Sequence, residues 1–265
     1  MTIKVVQGTL RSSGGGDSTA WTNYAARNTL SGKYLTAIKA LLNGLTTDGL
    51  FNSDGTSDYF DALYVMAMDT AANAKLNLVS SSFALVESVG PSPTFTADAG
   101  YQGSAGPAYV DTQLNASLGG KKYTQNSAHM SVWDATTGGS SARLVGAAGN
   151  MHIHPDFSGS AYFRINNSTG GISGATADTF GYFLGNRSTS TNSQGYINGS
   201  SIVTSTSDTS DALTNATFHF PEVNSSSTDV AAAGSFGASL TSGQVLNLYT
   251  RLHTCLNTIN SSLFP

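Results

Sequence analysis

Two histidines two residues apart, His152 and His154 in MHIHPD, form the densest group of ligating side chains in the sequence. On a strand, residues two apart point to one face, so both imidazoles could bind a single metal ion. The alternative is a pair of exposed or hydrogen-bonded histidines with no metal. A second group suits a sugar, which needs an aromatic face for the apolar side of its ring and amides or a guanidinium for its hydroxyls. Trp133, Tyr182, Asn186, Arg187 and Asn192 are of those types, and the loop from Arg187 to Gln194 would lie at one end of the fold. Against this, Trp133 and Tyr182 on short strands also suit a core, and Asn186 and Arg187 suit a turn.

Catalytic constellations are poorly represented. Glycoside hydrolysis needs two carboxyl groups roughly 5–10 Å apart, yet Glu222 is the only glutamate after Glu87, and no E-x-D-x-x-E strand is present. Asp134 and Asp156 could form a pair, but each sits among turn residues, where Asp commonly accepts backbone hydrogen bonds. Serines abound without a G-x-S-x-G elbow. Gly14 to Gly16 has no following G-K-[ST], so it reads as a flexible linker and not a phosphate loop. No catalytic residue is assigned, no cofactor is expected beyond the metal option at His152 and His154, and the expectation is a protein that is not an enzyme.

These candidates need strands to hold them. From Asp178 to Ser205 the sequence predicts three short strands at the centre of an antiparallel sheet: Thr179 to Asn186, then two halves of Gln194 to Ser205 joined at Asn198-Gly199. Asn-Gly favours a two-residue hairpin turn with positive φ at both positions. Further β-rich segments are Thr94–Ala97, Ala108–Thr112, His129–Trp133, Ala142–Ala147, Met151–His154, Ala161–Ile165, Ala216–Phe220 and Val230–Phe236, divided by clusters of Gly, Ser, Thr and Asn. Many short strands with polar turns point to a sandwich or barrel. Met1 to Gln7 reads as a strand followed by a Gly-rich hinge, Arg11 to Ser18, which suits docking on a partner and equally a frayed or merely packed terminus.

Helical spacing occurs in three places. Tyr34, Leu35, Ile38, Leu41, Leu42 and Leu45 share one face behind a Ser31 cap; Asp58 to Leu78 repeats the pattern with Phe60, Leu63, Tyr64, Met66 and Ala67, giving a helical hairpin. Leu240, Val245, Leu246, Tyr249, Leu252 and Leu256 form a C-terminal stripe with Thr241 or Ser242 as cap. Cys255, the single cysteine, falls in that helix, which excludes an intrachain disulfide and suits a small buried side chain.

Only 11% of residues are charged, against ~25% in ordinary soluble proteins. The surface must therefore be built from Ser, Thr, Asn and Gly, as suits an extracellular or virion protein. With 12 Lys and Arg, a net charge of −4 and no basic cluster beyond Lys121-Lys122, nucleic-acid binding is not expected. No run is long enough to insert in a membrane, and MTIKVVQGTL lacks the apolar core of a secretory signal. If the protein works outside cells, it leaves by another route, such as lysis with a phage particle.

Three segments carry a resemblance. TFTADAGYQGSAGPAYVDTQLN (Thr94 to Asn115) resembles the opening strands of concanavalin A-like, laminin-G-type jelly rolls; GYINGSSIV (Gly195 to Val203) is similar to their hairpin, and SFGASLTSGQVLNLYTRLHTCL (Ser235 to Leu256) to their ending. Together with DALYVMAMDTAANAKLNLV (Asp61 to Val79), the arrangement resembles proteins of phage and prophage structural modules. The resemblance implies a mainly β fold: an antiparallel sandwich over residues 91–265 with a C-terminal helix, preceded by an N-terminal strand and helical attachment region over residues 1–90. It implies a virion protein of the tail-fibre or decoration kind, assembled in the host cytoplasm. Other phage structural proteins would bind through its N-terminal region, and it would form a homo-oligomer, a trimer by preference. Around a three-fold axis the His152 and His154 pair would be tripled, as His-x-His pairs are in trimeric phage fibres. Host-surface glycan recognition is the leading expectation; a decoration module that reads no sugar and a polysaccharide-degrading enzyme are the alternatives.

Overall fold

The computed structural model describes residues 16–103, 108–138, 142–147, 151–176, 179–221 and 227–265. The expected strand at Met1 to Gln7, most of the hinge at Arg11 to Ser18, Asp178 and Glu222 lie outside them. Two helices come first, α1 (Thr19–Ala25) and α2 (Gly32–Thr47), followed by β1 (Phe60–Val65), a single turn of helix α3 (Ala71–Ala74) and β2 (Val86–Glu87). The chain continues through β3 (Thr94–Thr96), β4 (Gly100–Gln102), β5 (Val110–Asn115), β6 (Ala128–Asp134), β7 (Val145–Ala147), β8 (Met151–His154), β9 (Ser160–Ile165) and β10 (Ile172–Ala175). It closes with β11 (Gly181–Arg187), β12 (Ser193–Ile197), β13 (Ser200–Ser205), β14 (Thr217–Phe220), β15 (Val230–Gly237) and α4 (Ser242–Ile259).

The strands form two antiparallel sheets packed as a sandwich. Sheet A runs β13-β12-β11-β6-β15-β4-β3, with β1 also paired to β15; sheet B runs β10-β9-β8-β7-β14-β5-β2. The core lies between them. Phe183, Val132 and Phe236 of sheet A meet Phe163, Ile153, Phe218 and Phe220 of sheet B, with Phe218 and Phe236 stacked at 4.5 Å. Glycine permits the close approach: a β-carbon on Gly195 or Gly185 would lie 2.5 Å from the Phe163 ring or 2.6 Å from Ile165.

The outer face of sheet A is also buried, under α4. Trp133 stacks on Tyr249 and His253, each at 5.8 Å, and the Tyr196 hydroxyl meets the Ser242 hydroxyl at 3.0 Å. The capping box at Thr241 and Gln244 starts this helix as expected. Its buried stripe is Val245, Leu248, Leu252, Cys255, Leu256 and Ile259, while Leu246, expected on that stripe, is half exposed. Helix α2 packs alongside, joined to α4 by Arg251, which donates from Nε to Asp48 Oδ2 at 2.8 Å and from Nη2 to Oδ1 at 3.0 Å.

The N-terminal helical pair is α1 with α2, not α2 with Asp58–Leu78. The latter expectation is corrected: Phe60–Val65 is a strand buried at every position and paired with Ala233–Gly237. A strand covered on both faces shows no alternation, so its apolar run mimics a helical stripe. The described residues 16–90 therefore do not stand apart from the sandwich, since β1 joins sheet A and β2 joins sheet B. The middle of sheet A is β6 with β15, and the expected central hairpin, β12 with β13, forms one edge. Its turn is as expected, with φ of 49° at Asn198 and 77° at Gly199.

Candidate functional site

The sequence-chosen sugar residues are largely engaged within the fold. Trp133 and Tyr182 are neighbours in register on β6 and β11, 5.9 Å apart, and both rings lie beneath α4. Asn186 donates from Nδ2 to the Leu240 carbonyl (3.1 Å) and accepts the Leu240 N–H at Oδ1 (2.8 Å), which fixes the entry to α4. Arg187 is fully buried. Its Nε donates to the Ile165 carbonyl at 2.7 Å, and its guanidinium is paired with the Asp208 carboxylate, which also accepts from Ser193 Oγ at 2.6 Å. Asn192 is half-buried at the base of the loop, where its N–H bonds Thr189 Oγ1. Ser188 to Thr191 are exposed, but no aromatic ring stands among them. In the structure the aromatic members of that group serve the sheet-helix contact and its arginine braces a loop.

Asp134 Oδ1 accepts the Thr136 N–H at 2.9 Å, and Asp156 Oδ1 accepts the Gly159 N–H at 2.7 Å, the turn role that Asp commonly plays. A Ser-His contact does exist: His129 Nε2 lies 3.0 Å from Ser235 Oγ, with Ser131 Oγ a further 2.7 Å on. It is sealed between sheet A and the helices with no exposure, and burial brings the His129 pKa down to about 4. This is a structural polar chain with no route for a substrate.

The outer face of sheet B carries a different cluster. Alternation along β9 sends Ala161, Phe163 and Ile165 into the core and Tyr162 and Arg164 outward. The antiparallel register sets His154 beside Tyr162 and His152 beside Arg164, a block of four side chains on adjacent strands. Phe157 closes one side, half exposed, with its ring 5.2 Å from His154 and 5.7 Å from Tyr162; Arg143 lines another. Among the described residues, these six line a hollow of about 220 Å³.

The two imidazoles are 5.0 Å apart, edge to face, on one side of β8 as the spacing required. Burial, then Arg143, His154 and Arg164, brings the His152 pKa down to about 2; burial, then Arg143 and Arg164, brings His154 to about 4. Both rings are therefore neutral at ordinary pH. Each has a buried Nδ1 with no hydrogen-bond partner among the described residues, although buried polar atoms are normally satisfied. Neutral imidazole is the ligating form. However, among the described residues no group of three His, Cys, Asp or Glu is placed to hold a metal ion. The guanidiniums that disfavour a proton on the rings disfavour a metal cation for the same reason.

Sequence reasoning found His152 and His154 but missed Arg143, Phe157, Tyr162 and Arg164. The alternation in SAYFRI was a usable signal for which β9 residues share a face. The pairing of β9 with β8 was not, because register is set across the sheet.

No family model matches the chain, and no curated protein matches its sequence. Solved structures do match. The binding domain of botulinum neurotoxin serotype D aligns with a TM-score of 0.55 and 10% identity, over 74% of this chain and 51% of that one. Domain 4 of AbnA, a GH43 extracellular arabinanase from Geobacillus stearothermophilus in complex with arabinotriose, aligns at 0.52 and 16%, over 72% and 98%. A structure described by the dependence of botulinum neurotoxin type C cell entry on two ganglioside molecules aligns at 0.50 and 14%, over 72% and 51%. The chain spans about half the length of the neurotoxin structures. At such identities the likeness establishes the fold, a two-sheet β-sandwich.

Proposed function

We propose that this chain is a carbohydrate-binding sandwich module whose site is the hollow on sheet B. The observation that carries the reading is that two aromatic rings and two neutral imidazoles gather around one hollow on the outer face of sheet B. Tyr162 and Phe157 offer apolar ring surface, and His152 and His154 can each offer a sugar hydroxyl one ring nitrogen, as donor or acceptor according to the tautomer. The hollow is smaller than the ~300–1,000 Å³ of drug-sized pockets, so it suits a single sugar ring or terminal residue. The arabinotriose and ganglioside named for two of the structural neighbours support the ligand class.

The setting we propose is a phage virion, with the N-terminal region attached to other structural proteins and the sandwich turned towards host-surface glycans. The low charge and polar turns support it. In a homo-oligomer a weak site gains ~10²–10⁴ in avidity. No hydrolytic role is proposed, since Asp134 and Asp156 are used by turns. A packing module that reads no sugar is the second reading, favoured by exposed Val86 and Val89 at the β2 edge of sheet B.

A glycan array probed with the purified chain tests the reading. Binding is expected, and Tyr162→Ala should weaken it about tenfold, the scale of one lost aromatic contact, with the thermal melt unchanged. An array on which nothing binds would refute it.

A further inference from the structure

We infer that a second carbohydrate site, for a neutral sugar, lies in a cleft of about 370 Å³ at the rim of sheet A beside the start of α4. It stands apart from the hollow on sheet B and does not depend on it. Three connections meet there: the β11–β12 loop, through Ser188 and Gln194; the passage from β15 into α4, through Ser239 to Ser242; and Tyr59, the residue before β1. Of the sugar residues chosen from the sequence, Asn186 lines this cleft. Bonds within the fold fix the walls. Tyr59 accepts the Ala238 N–H at its carbonyl (2.9 Å) and donates its own N–H to Ser57 Oγ (3.1 Å), while Asn186 holds Leu240 through both its N–H and its carbonyl. Gln194 Oε1 accepts the Tyr196 hydroxyl at 2.8 Å, that hydroxyl meets Ser242 Oγ at 3.0 Å, and Gln244 Oε1 accepts the Thr241 N–H at 2.9 Å. A preformed site loses less freedom when a ligand enters.

The lining decides the ligand class. Among the described residues around the cleft the polar side chains are amides, aliphatic hydroxyls and the Tyr59 phenol, with no carboxylate, ammonium, guanidinium or imidazole. An ion entering such a place would give up water and meet no counter-charge. A sugar exchanges like for like, because its hydroxyls both donate and accept, as do Ser and Thr hydroxyls and, between its two ends, an amide. Ser188 Oγ and Gln244 Nε2 bond no other described residue, and Gln194 Nε2 has a second hydrogen beyond its 3.4 Å contact with Thr204 Oγ1, so all three keep capacity for a ligand. Tyr59 is the aromatic member of the lining, half-buried and packed on the core, and a phenol ring suits the apolar face of a sugar. The volume falls within the ~300–1,000 Å³ of ligand pockets, a range that the hollow on sheet B does not reach.

The test is an amide NMR titration of the full chain with a panel of neutral pentose and hexose oligosaccharides, each paired with its uronic-acid counterpart. With a neutral member the amides of Gln194 and Ser242 should shift and saturate, and the acidic counterpart should bind there several-fold more weakly. Tyr59→Ala should weaken the neutral response about tenfold, the scale of one aromatic contact. Ser188→Trp, at an exposed loop position, should abolish it by filling the cleft, and preserves the test should Tyr59→Ala fail to fold. Tyr162→Ala should leave it unchanged. Shifts at Gln194 and Ser242 that survive both cleft substitutions, or that respond equally to acidic members, would overturn the inference. Shifts confined to His152, His154 and Tyr162 would overturn it and leave the sheet B reading standing; shifts confined to the cleft would support it and overturn the sheet B reading. Silence across the whole panel would overturn the inference, while the glycan array decides the sheet B reading separately.

Discussion

Arg187 illustrates how a residue of binding type can be committed to architecture. Its guanidinium reaches the Ile165 carbonyl, the Asp208 carbonyl and the Asp208 carboxylate, so it ties β11 to the end of β9 and to the loop after β13. Removing one member of a buried ion pair strands the other without water, at a cost of about 3–5 kcal/mol. Arg187→Ala is therefore expected to lower the urea midpoint severely, and Asp208→Asn to do so by a comparable mechanism. Three histidines add a pH term. The pKa of His129 and of His154 is lowered to about 4, and that of His152 to about 2, with burial the first cause in each. Below the ordinary value of 6.5 the unfolded chain takes up protons that the folded chain refuses. Stability is thus fully present above pH 6.5 and is lost as pH falls towards 4, by up to about 1.4 kcal/mol per pH unit for each histidine. Urea midpoints across that range should fall steadily with acidification; a flat profile would contradict the assignment. At this scale the sequence showed which side chains have useful chemistry. It could not show that Trp133 and Tyr182 face a helix while Tyr162 faces solvent, because alternation defines two faces without saying which one is covered.

Among the elements, the β12–β13 turn was legible to the residue. Asn198-Gly199 takes positive φ at both positions, and Gly199 also lies against α4, where an added β-carbon would meet Leu246 and Tyr249 at 3.0 Å. Gly199→Ala should cost about 1 kcal/mol for the backbone alone, seen as a lowered melting temperature, and more if the α4 contact shifts. Helix α4 was equally readable, since Thr241 and Gln244 supply both halves of a capping box. Strand β1 was not. FDALYV carries no alternation because Tyr64 packs against Phe220 in the core while Phe60 packs on His129 on the helical side. Its identity depends on β15, more than 160 residues away, for which no local rule stands in. Helix α1 and strands β2, β4 and β10 escaped notice for a simpler reason: each is too short to establish a period.

For the molecule as a whole, the decisive asymmetry is coverage. Sheet A is enclosed, its inner face by sheet B and its outer face by α4, with α2 alongside; the outer face of sheet B carries the hollow. The composition had already indicated a neutral surface of hydroxyls and amides, and the strand count had indicated a sandwich. Which broad face lies under a helix was settled only by the docking of α4, a tertiary event.

That placement has an optical consequence. The chain has two tryptophans, Trp133 beneath α4 and Trp21 in α1, and both belong to the helical side. A sugar entering the hollow on sheet B would sit across the sandwich from both indoles, so their emission should stay constant through a titration that saturates the protein. The reporters that should move are the ring protons of His152, His154 and Tyr162. A silent fluorimeter would then record where the tryptophans are, not whether the ligand has bound.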